Sequence, residues 1–259
     1  MKYLLSCILF AFNLYSQEIT AHRGASYDAP ENTLEAFKLA WEKGADYIEG
    51  DFFLTKDGKV VCFHDKHTGR LSTKKLDVEQ SNWSDLKNLD VGIKKGKKWR
   101  GVKMPLLDDV LKTIPKDKGI FLEIKSDEKI VPLIKEIVFK SKVPLNNITI
   151  ICFNENVLLK CKEIMPNIKT QWLVNLKKRN YTIDDLINKL KKLKVSSIGT
   201  SCYLPLITKE NVAIMKNEGF NWNVWTVNRA NDAEKISKAG VDYITTDRPE
   251  FIRKTVLNK

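Results

Sequence analysis

The sequence has few of the residues that build zinc sites or dense disulfide frameworks. Its 259 residues include only three histidines and five cysteines, and no two cysteines have C-x-x-C spacing. The spacings of these cysteines match no zinc site. Glycine and proline contribute only 12 and 8 residues, and 43% of the chain is hydrophobic. This composition excludes a collagen-like, low-complexity or disordered chain and indicates a globular protein with a large core.

The sequence also lacks a long apolar run. Its apolar segment at residues 4–12 follows a lysine and is too short to span a bilayer. With the small residue Ser16 at its end, the segment 1–16 is typical of a signal peptide. We therefore expect export to the periplasm or the extracellular space, without stable insertion into a membrane. Two alternatives stay open, lipidation at Cys7 and a buried N-terminal strand, and the bulk of Leu14 favours the second.

Four cysteines remain after residue 16: Cys62, Cys152, Cys161 and Cys202. In an oxidising compartment four cysteines allow three sets of disulfide pairs, and the sequence does not choose among them. Cys62 and Cys152 lie inside apolar β-like runs, which is typical of small buried side chains.

Acidic residues are fewer than basic ones. With 44 Lys and Arg against 32 Asp and Glu, the formal net charge is +12. Such a surface attracts anions, for example phosphate esters, acidic lipid headgroups or nucleic acid. No Arg-rich tract and no basic stripe with interleaved aromatics is present, which argues against a nucleic-acid partner. The lysine runs within residues 94–98 and 191–194 are typical of solvated faces.

From residue 17 onward, short apolar runs alternate with longer stretches of helical period, which predicts a parallel sheet with crossover helices. Eight such units predict an α/β fold of the TIM-type (β/α)8 barrel class, as one domain over residues 17–259. The predicted strands are residues 18–22, 47–54, 119–124, 148–153, 169–173, 197–200, 222–226 and 243–246. The predicted helices are residues 34–43, 106–113, 130–139, 155–164, 183–193, 209–218, 230–239 and 251–257.

One stretch departs from this alternation. A second β-like run, residues 59–63, follows Asp57-Gly58, a pair that predicts a tight turn and a hairpin extension of the second strand. The segment 65–105 is rich in Lys, Asp and Gly and is too long for a simple loop. We therefore expect a small insertion after strand two, on the active face of the barrel.

Polar residues at the carboxyl ends of the predicted strands are the candidates for chemistry. Glu49 and Asp51 lie two residues apart on the second strand, so both point inward if the flanking apolar residues pack under helices. Glu123 has the same setting on the third strand. Three converging carboxylates favour one hard divalent cation, Mg2+ or Ca2+. Ordinary ion pairs of these carboxylates with Arg23 and Lys125 are the alternative interpretation.

Two of the three histidines end neighbouring strands of the predicted barrel. His22 and His64 can supply the acid and the base that cleavage of a phosphate ester needs near neutral pH. His67, in the insertion, is expected to have no role in the reaction. Arg23 and Lys125 are candidates for holding a phosphate, and pairing with the carboxylates is again the alternative.

Three further residues have simpler interpretations. Asn32 precedes a helix and has Glu35 three residues later, a spacing that predicts a helix cap. Trp225 ends the seventh strand, where its indole would line a substrate pocket for a glycerol or alcohol group or fill the core. Asp247 is expected mainly to form the turn into the last helix.

An ordered set of motifs resembles the glycerophosphodiester phosphodiesterase family from residue 21 to about residue 250. Each motif alone is weak, but the ordered set is specific. The motifs are Ala21-His22-Arg23-Gly24, Pro30-Glu31-Asn32-Thr33, Glu49-Gly50-Asp51, Thr55-Lys56-Asp57-Gly58, His64-Asp65, Leu122-Glu123-Ile124-Lys125, Gly240-Val241-Asp242 and Thr246-Asp247-Arg248-Pro249. The family more often has an apolar residue in place of Gly50, and we expect this difference to weaken local strand packing.

The resemblance implies a metal-dependent hydrolase on a TIM-type barrel that cuts glycerophosphodiesters to glycerol 3-phosphate and an alcohol. Transferred to the matching positions, the family's acid-base pair is His22 and His64. Its metal ligands are Glu49, Asp51 and Glu123. Its phosphate contacts are Arg23 and Lys125. The nucleophile is either the vicinal glycerol hydroxyl, which gives a cyclic phosphate, or water. The small-molecule substrate's headgroup and the oligomeric state stay open.

Two other functions remain as alternatives. A lysophospholipase D-like hydrolase would act on acylated lipids, but the insertion over residues 65–101 is mostly polar. A noncatalytic protein that binds phosphate or headgroups needs no acid-base pair, so the presence of both His22 and His64 argues against it.

Overall fold

A computed structural model describes residues 17–257, which form a closed barrel of parallel strands surrounded by helices. The strands are β1 (Glu18–His22), β2 (Tyr47–Leu54), β3 (Val60–Cys62), β4 (Gly119–Ile124), β5 (Ile148–Cys152), β6 (Lys169–Val174), β7 (Ser197–Ser201), β8 (Asn221–Trp225) and β9 (Tyr243–Thr246). The helices are α1 (Leu34–Glu42), α2 (Trp83–Leu86), α3 (Leu107–Leu111), α4 (Val131–Lys140), α5 (Glu155–Ile164), α6 (Ile183–Leu193), α7 (Lys209–Asn217), α8 (Ala230–Ala239) and α9 (Pro249–Leu257).

The barrel closes because β1 pairs in parallel with both β2 and β9. Around the ring the order is β1, β2, β4, β5, β6, β7, β8 and β9, while β3 runs antiparallel on β2. The predicted (β/α)8 class and the hairpin extension are thus confirmed, and the element boundaries shift by only a few residues. The predicted signal peptide, residues 1–16 with Cys7, lies outside the described residues. Across residues 17–257, no helix combines the length and apolarity needed to cross a membrane.

Two apolar layers position the active face. Alternate strand residues such as Ile48 and Phe52 are fully buried in the layer between the strands and the outer helices. Inside the barrel, the rings of Tyr47, Phe121 and Tyr243 pack with centroids 5.1–5.5 Å apart. Tyr47 and Tyr243 begin their strands, so this aromatic floor fills the amino-terminal end of the barrel. Polar side chains are left to occupy the carboxyl-terminal end.

The residue that caps α1, at the end of the turn after β1, differs from the predicted one. Thr33, not Asn32, caps α1, since its side-chain oxygen accepts from the backbone N–H of Ala36 at 3.2 Å. The predicted capping role of Asn32 is therefore wrong. Asn32 has a φ of +57°, a conformation that asparagine tolerates better than most residues, and its buried side chain turns toward β2.

Gly50 lies where two aromatic rings approach the backbone of β2. An added Cβ at Gly50 would lie 3.1 Å from Cζ of Phe37 and 3.3 Å from the ring of Phe52. The aromatic rings already fill the space that a side chain would take. The ring of Phe37 from α1 thus comes close to the backbone at Gly50, and the expected effect of this glycine on strand packing stays a prediction.

The four cysteines of the described chain are free thiols. Cys62, Cys152 and Cys161 are buried, as predicted for the first two, and Cys202 is half-buried. The thiol of Cys62 donates to Oδ1 of Asn32 at 3.2 Å, and that of Cys152 donates to the backbone oxygen of Ile124 at 3.1 Å.

The insertion between β3 and α3 has structure of its own. It contains α2 and two 3-10 turns, Thr68–Arg70 and Lys97–Trp99. A separate apolar cluster supports it, formed by Phe53, Val61, Phe63, Val78, Leu86, Leu89, Val91 and Met104. Lys95 donates to the backbone oxygens of Ser26 and Tyr27 at 2.7 and 2.9 Å. This contact ties the insertion to the loop after β1, so its expected place on the active face is confirmed.

Candidate active site

The three predicted metal ligands converge inside the carboxyl-terminal end of the barrel. Asp51 on β2 lies opposite Glu123 on β4, and Glu49 lies two residues before Asp51. One carboxylate oxygen from each lies within 4.8 Å of the others. Glu49 and Asp51 are only 3% and 1% exposed. Parallel register and strand alternation therefore bring the three side chains together as the sequence predicted.

Backbone turns and one amide hold two of these carboxylates in place. Asn32 donates from Nδ2 to Oδ2 of Asp51 at 2.8 Å, and the backbone N–H of Asp51 donates to Oδ1 of Asn32 at 3.1 Å. The backbone N–H of Arg23 donates to Oε2 of Glu49 at 2.9 Å. Arg23 adopts a φ of +55°, which places this N–H in the turn that faces the site. The loop after β1 thus fixes the orientation of both acids on β2.

Crowding of the three carboxylates separates their pKa values. Burial, together with Asp51 and Glu123, raises the pKa of Glu49 well above its usual value. Burial and Asp51 outweigh Lys125 and raise the pKa of Glu123 to about 7. Burial alone would raise the pKa of Asp51, but Lys125 and Arg23 outweigh it and lower that pKa.

The donor set of these carboxylates fits a hard divalent cation. Oε1 of Glu49 and Oδ1 of Asp51 are buried and accept no hydrogen bond from the described residues. Buried oxygens without donors are unfavourable, and mutually repelling carboxylates favour a cation between them. Glu49, Asp51 and Glu123 supply only oxygen ligands, which Mg2+ and Ca2+ prefer.

The two predicted phosphate-binding cations lie against the acids. Nη1 of Arg23 donates to Glu31 at 2.9 Å, and its Nε lies 3.3 Å from Oδ2 of Asp51. Nζ of Lys125 donates to Glu123 at 2.7 Å and lies 3.4 Å from Oδ1 of Asp51. Both cations also line the central cavity. The alternative ion pairs are therefore present, and they leave both cations facing the space where a substrate would lie.

His22, at the end of β1, is held by a residue from the far end of the chain. Its Nδ1 lies 2.6 Å from Oδ1 of Asp247. The same carboxylate accepts from Oγ of Ser26 at 2.9 Å and from Nδ2 of Asn228 at 2.5 Å. Burial opposes ionisation of Asp247, but the hydrogen bond and charge of His22 outweigh it and lower the pKa of Asp247 to about 2. Asp247 thus lies between β9 and α9, in the turn into the last helix as expected, and it also holds His22, a role that the sequence did not predict.

His64, after β3, has a carboxylate partner next to it in the chain. Its Nδ1 lies 2.7 Å from Oδ1 of Asp65, and Nε of Arg70 donates to Oδ2 of Asp65 at 2.5 Å. The Arg70 guanidinium also donates twice to Glu31, at 2.7 and 2.8 Å. Burial, opposed by Asp51, lowers the pKa of His64.

Both histidines share one tautomer because each partner is a carboxylate. An ionised carboxylate only accepts hydrogen bonds, so Nδ1 of His22 and of His64 carries the proton. In each ring Nε2 is then the nitrogen that remains to take up or release a proton.

The side chains meet at a cavity of about 150 Å3. Its polar wall consists mainly of His22, Arg23, Glu49, His64, Glu123 and Lys125. Its apolar wall includes Trp225 and Phe153, whose rings pack edge to face with centroids 5.7 Å apart. Nε1 of Trp225 is buried and has no hydrogen-bond partner among the described residues. Trp225 therefore lines the pocket, as one of its two interpretations predicted, while His67 is exposed in the insertion.

Comparisons with known proteins agree with this geometry. The sequence model of the glycerophosphoryl diester phosphodiesterase family matches residues 22–251. The chain belongs to this family. A glycerophosphodiester phosphodiesterase from Caldanaerobacter subterraneus subsp. tengcongensis is 36% identical over 243 residues, which cover 90% of this chain and 95% of the relative.

Two solved structures share the fold of this phosphodiesterase. A phosphodiesterase of Oleispira antarctica, in complex with the product sn-glycerol-3-phosphate, has a TM-score of 0.83 and 25% identity, covering 92% of this chain and 96% of that one. A glycerophosphodiester phosphodiesterase of Thermotoga maritima has a TM-score of 0.75 and 27% identity, with coverage of 92% and 98%. The chain is thus a phosphoric diester hydrolase that acts on glycerophosphodiesters.

Sequence reasoning missed three contacts in the site of this phosphodiesterase. Asp65 and Asp247 hold the histidines, and Asn32 holds Asp51. A signal for Asp247 was available, because a residue that ends the last strand of a closed barrel lies beside the end of the first. For Asn32 no such signal existed, since its spacing to Glu35 also satisfies a helix cap.

Proposed function

We propose that this phosphodiesterase uses one divalent cation, Mg2+ or Ca2+, and two histidines to release glycerol 3-phosphate and a free alcohol. One observation carries the proposal: two carboxylate-bound imidazoles line one cavity of about 150 Å3 together with Glu49 and Glu123, whose carboxylates converge with that of Asp51. The product complex of the Oleispira antarctica phosphodiesterase supports glycerol 3-phosphate as the product.

The cation would be held by Glu49, Asp51 and Glu123, whose oxygens lie within 4.8 Å of one another. When bound, such a cation offsets the negative charge that builds on the phosphate in the transition state. The same three carboxylates would otherwise repel an anionic substrate, so the site needs positive charge before a phosphodiester can enter.

Arg23 and Lys125 bind the nonbridging phosphate oxygens in this proposal. Arginine presents a planar fork of donors, whereas lysine acts as a point charge. Glu31 and Glu123 already orient the two side chains through contacts of 2.9 and 2.7 Å. Little side-chain reorganisation is therefore required when the phosphate arrives, and the donors are in place for the transition state.

His22 and His64 move the protons through Nε2. One imidazole removes the proton from the attacking hydroxyl, and the other protonates the oxygen of the leaving alcohol as its bond to phosphorus breaks. The carboxylates of Asp247 and Asp65 fix the ring orientation and stabilise the imidazolium that forms.

Two routes share this pair of histidines. If the vicinal glycerol hydroxyl attacks, a cyclic phosphate forms first, and water opens it with the histidine roles reversed. If water attacks directly, no cyclic phosphate forms. Cleavage of an analogue without that hydroxyl at the normal rate, with no cyclic phosphate detected, would exclude the first route.

Trp225 would contact the organic part of the substrate. Its indole forms an apolar wall opposite the polar groups of the cavity, and its buried Nε1 is a donor without a partner in the described chain. An amphipathic ring of this kind suits a glycerol or alcohol group, which presents both carbon and hydroxyl.

The experiment measures release of glycerol 3-phosphate from glycerophosphocholine and glycerophosphoethanolamine by the chain that begins at Gln17. Assays run with and without chelator, beside His22→Ala and the matched control His67→Ala. We expect chelator to abolish turnover, Mg2+ or Ca2+ to restore it, and only His22→Ala to be inactive. Removing an acid or base lowers the rate about 10²- to 10⁴-fold.

Other outcomes would contradict the proposal. Full activity in chelator would remove the cation from the reaction. Equal loss in His67→Ala would mean that His22 has no special role. No release from either diester with any metal would direct the search to acylated lipids, the lysophospholipase D-like alternative.

We also propose that residues 1–16 direct export to the periplasm or the extracellular space and are then removed. The short apolar segment 4–12 and Ser16 support this. Mass spectrometry of the protein from the culture medium and the periplasm should find a chain that begins at Gln17. An intact N-terminus on protein confined to the cytoplasm would contradict the proposal.

A further inference from the structure

A second cavity, of about 680 Å3, opens beside the catalytic one. The two cavities share Phe153 and Leu173 in their walls. Phe153 follows β5 and is 48% exposed, and its ring packs against Trp225 of the catalytic cavity. The second cavity is therefore a direct continuation of the site, on the side of β5 and β6. A substrate longer than the catalytic cavity would extend into it past Phe153.

The acidic and basic side chains of the second cavity differ in whether they have partners. Its two acids already have partners: Glu155 pairs with Lys189 at 2.5 Å, and Asp185 accepts from the backbone and hydroxyl of Thr182 at 2.9 and 2.8 Å. Two cations on the wall, Lys178 and Arg179, are exposed and form no salt bridge with any described carboxylate. Asp185 keeps its negative charge, because Thr182 is neutral, so two positive charges and one negative charge remain on this wall and their sum is positive.

At Trp172 and Tyr181 the wall of this cavity is also unsuited to a cationic group. Nζ of Lys189 already lies over the ring of Trp172, 5.9 Å from its centroid. Tyr181 meets Trp172 edge to face at 6.1 Å, and its hydroxyl accepts from Arg179 at 3.3 Å. A ligand ammonium gains from an aromatic face only when that face is free of other cations. Lys189 and Arg179 thus disfavour a choline or ethanolamine headgroup here.

We propose that this cavity is a subsite for a second phosphate, carried by the alcohol part of the substrate and bound by Lys178 and Arg179. The inference rests on the proposed function. The subsite assigns a substrate class to that function, namely glycerophosphodiesters whose leaving alcohol is itself phosphorylated. The reaction is unchanged: the P–O bond to that alcohol breaks, the alcohol leaves with a proton, and water supplies the new oxygen on the glycerol 3-phosphate.

The test compares kcat/KM on three substrates that differ beyond the scissile phosphate. Bis(glycerophospho)glycerol offers a second phosphate, glycerophosphoglycerol offers only hydroxyls, and glycerophosphocholine offers a cation. We expect bis(glycerophospho)glycerol to be preferred over glycerophosphoglycerol about tenfold, more than the advantage of its two equivalent ends, because charge-assisted hydrogen bonds are strong. The preference should decline as ionic strength rises, since both cations are exposed.

The double variant Lys178→Gln/Arg179→Gln should lose most of this preference through a higher KM for the bis-phosphate substrate. Its kcat on glycerophosphoglycerol should match the unmodified enzyme. The matched control is Lys135→Gln/Lys192→Gln, which removes two exposed lysines of α4 and α6 that pair with no described carboxylate. This control should keep the preference, which separates a local subsite from the general effect of net charge.

Several results would overturn the subsite. Equal kcat/KM on the two glycerol substrates, or a preference that survives in Lys178→Gln/Arg179→Gln, would show that the cavity binds no second phosphate. A preference for glycerophosphocholine would assign the cavity to a cationic headgroup instead. No glycerol 3-phosphate from any of the three substrates would overturn the proposed function itself, so the two failures are distinct.

Discussion

The two histidines occupy equivalent positions in the site but are held by different parts of the molecule. Asp247, which holds His22, lies 225 residues away in the chain and is itself held by uncharged donors, Ser26 and Asn228. Asp65, which holds His64, is the next residue, and a charged group, Arg70 from the insertion, holds it. One imidazole is therefore fixed by closure of the barrel, and the other by the insertion after β3.

The difference shows which contacts the solvent can weaken. The side chain of Arg70 is 46% exposed, so salt screens its pairs with Asp65 and Glu31. The hydrogen bonds of Ser26 and Asn228 to Asp247 involve no second full charge and are far less sensitive to ionic strength. The His22 side of the site should thus be robust, and the His64 side should respond to conditions and to changes in the insertion.

The largest expected effect separates the two histidines by their roles. His22→Ala and His64→Ala should each lower kcat on glycerophosphocholine by about 10²- to 10⁴-fold. A nitrophenyl ester of glycerol phosphate needs no general acid, because nitrophenolate leaves without a proton. The variant that lacks the general acid, and only that variant, should therefore release nitrophenolate at the initial rate of the unmodified enzyme. Rescue of both variants, or of neither, would show that the acid and base roles are not divided between them.

A smaller effect concerns stability in acid. The pKa of Asp247 is about 2 in the folded chain against 3.8 for an ordinary aspartate. Because the folded value is lower, the stabilisation is complete above about pH 4 and disappears as the pH falls through about 2. Asp247→Asn should therefore reduce the free energy of unfolding at pH 5 by about 1–2 kcal/mol, with a much smaller deficit near pH 2.

Urea unfolding of the unmodified enzyme, Asp247→Asn and Asp65→Asn at both pH values measures this difference. We expect a smaller change for Asp65→Asn, because solvent screens its pair with Arg70. A constant deficit for Asp247→Asn at both pH values would mean that its contribution does not depend on ionisation. Equal behaviour of the two variants would remove the energetic distinction between the histidine partners.

The smallest expected effect comes from Arg70. Arg70→Gln should lower kcat/KM only about two- to fivefold, the range of an exposed ion pair. The loss should shrink at high ionic strength, where the Arg70 pairs of the unmodified enzyme are already screened. The control is Arg100→Gln, an exposed arginine of the insertion that pairs with no described carboxylate. A loss of kcat/KM that does not change with ionic strength would mean that Arg70 acts through packing.

Sequence reasoning located most of the site because strand periodicity is local. Glu49 and Asp51 share a face since they lie two residues apart, and buried neighbours such as Ile48 turn that face inward. The same logic located Glu123 on β4 and Lys125 directly after it. It missed the site contacts of Asn32 and Asp247, where a short polar side chain has two plausible local roles and only its neighbours in space decide between them.

The order of apolar runs in the sequence determined the barrel, the inward face of the carboxylates and the ends of the strands where His22 and His64 lie. These properties depend on the alternation of side chains along a strand, and neighbouring residues of the sequence are enough to determine that alternation. Only the tertiary structure decided that Asp247 holds His22 and that Arg70 links Asp65, the neighbour and partner of His64, to Glu31. Closure of the ring brings β9 beside β1 and so Asp247 to His22, while folding of the insertion brings Arg70 to Glu31. Such contacts join residues far apart in the chain, and no local spacing encodes them.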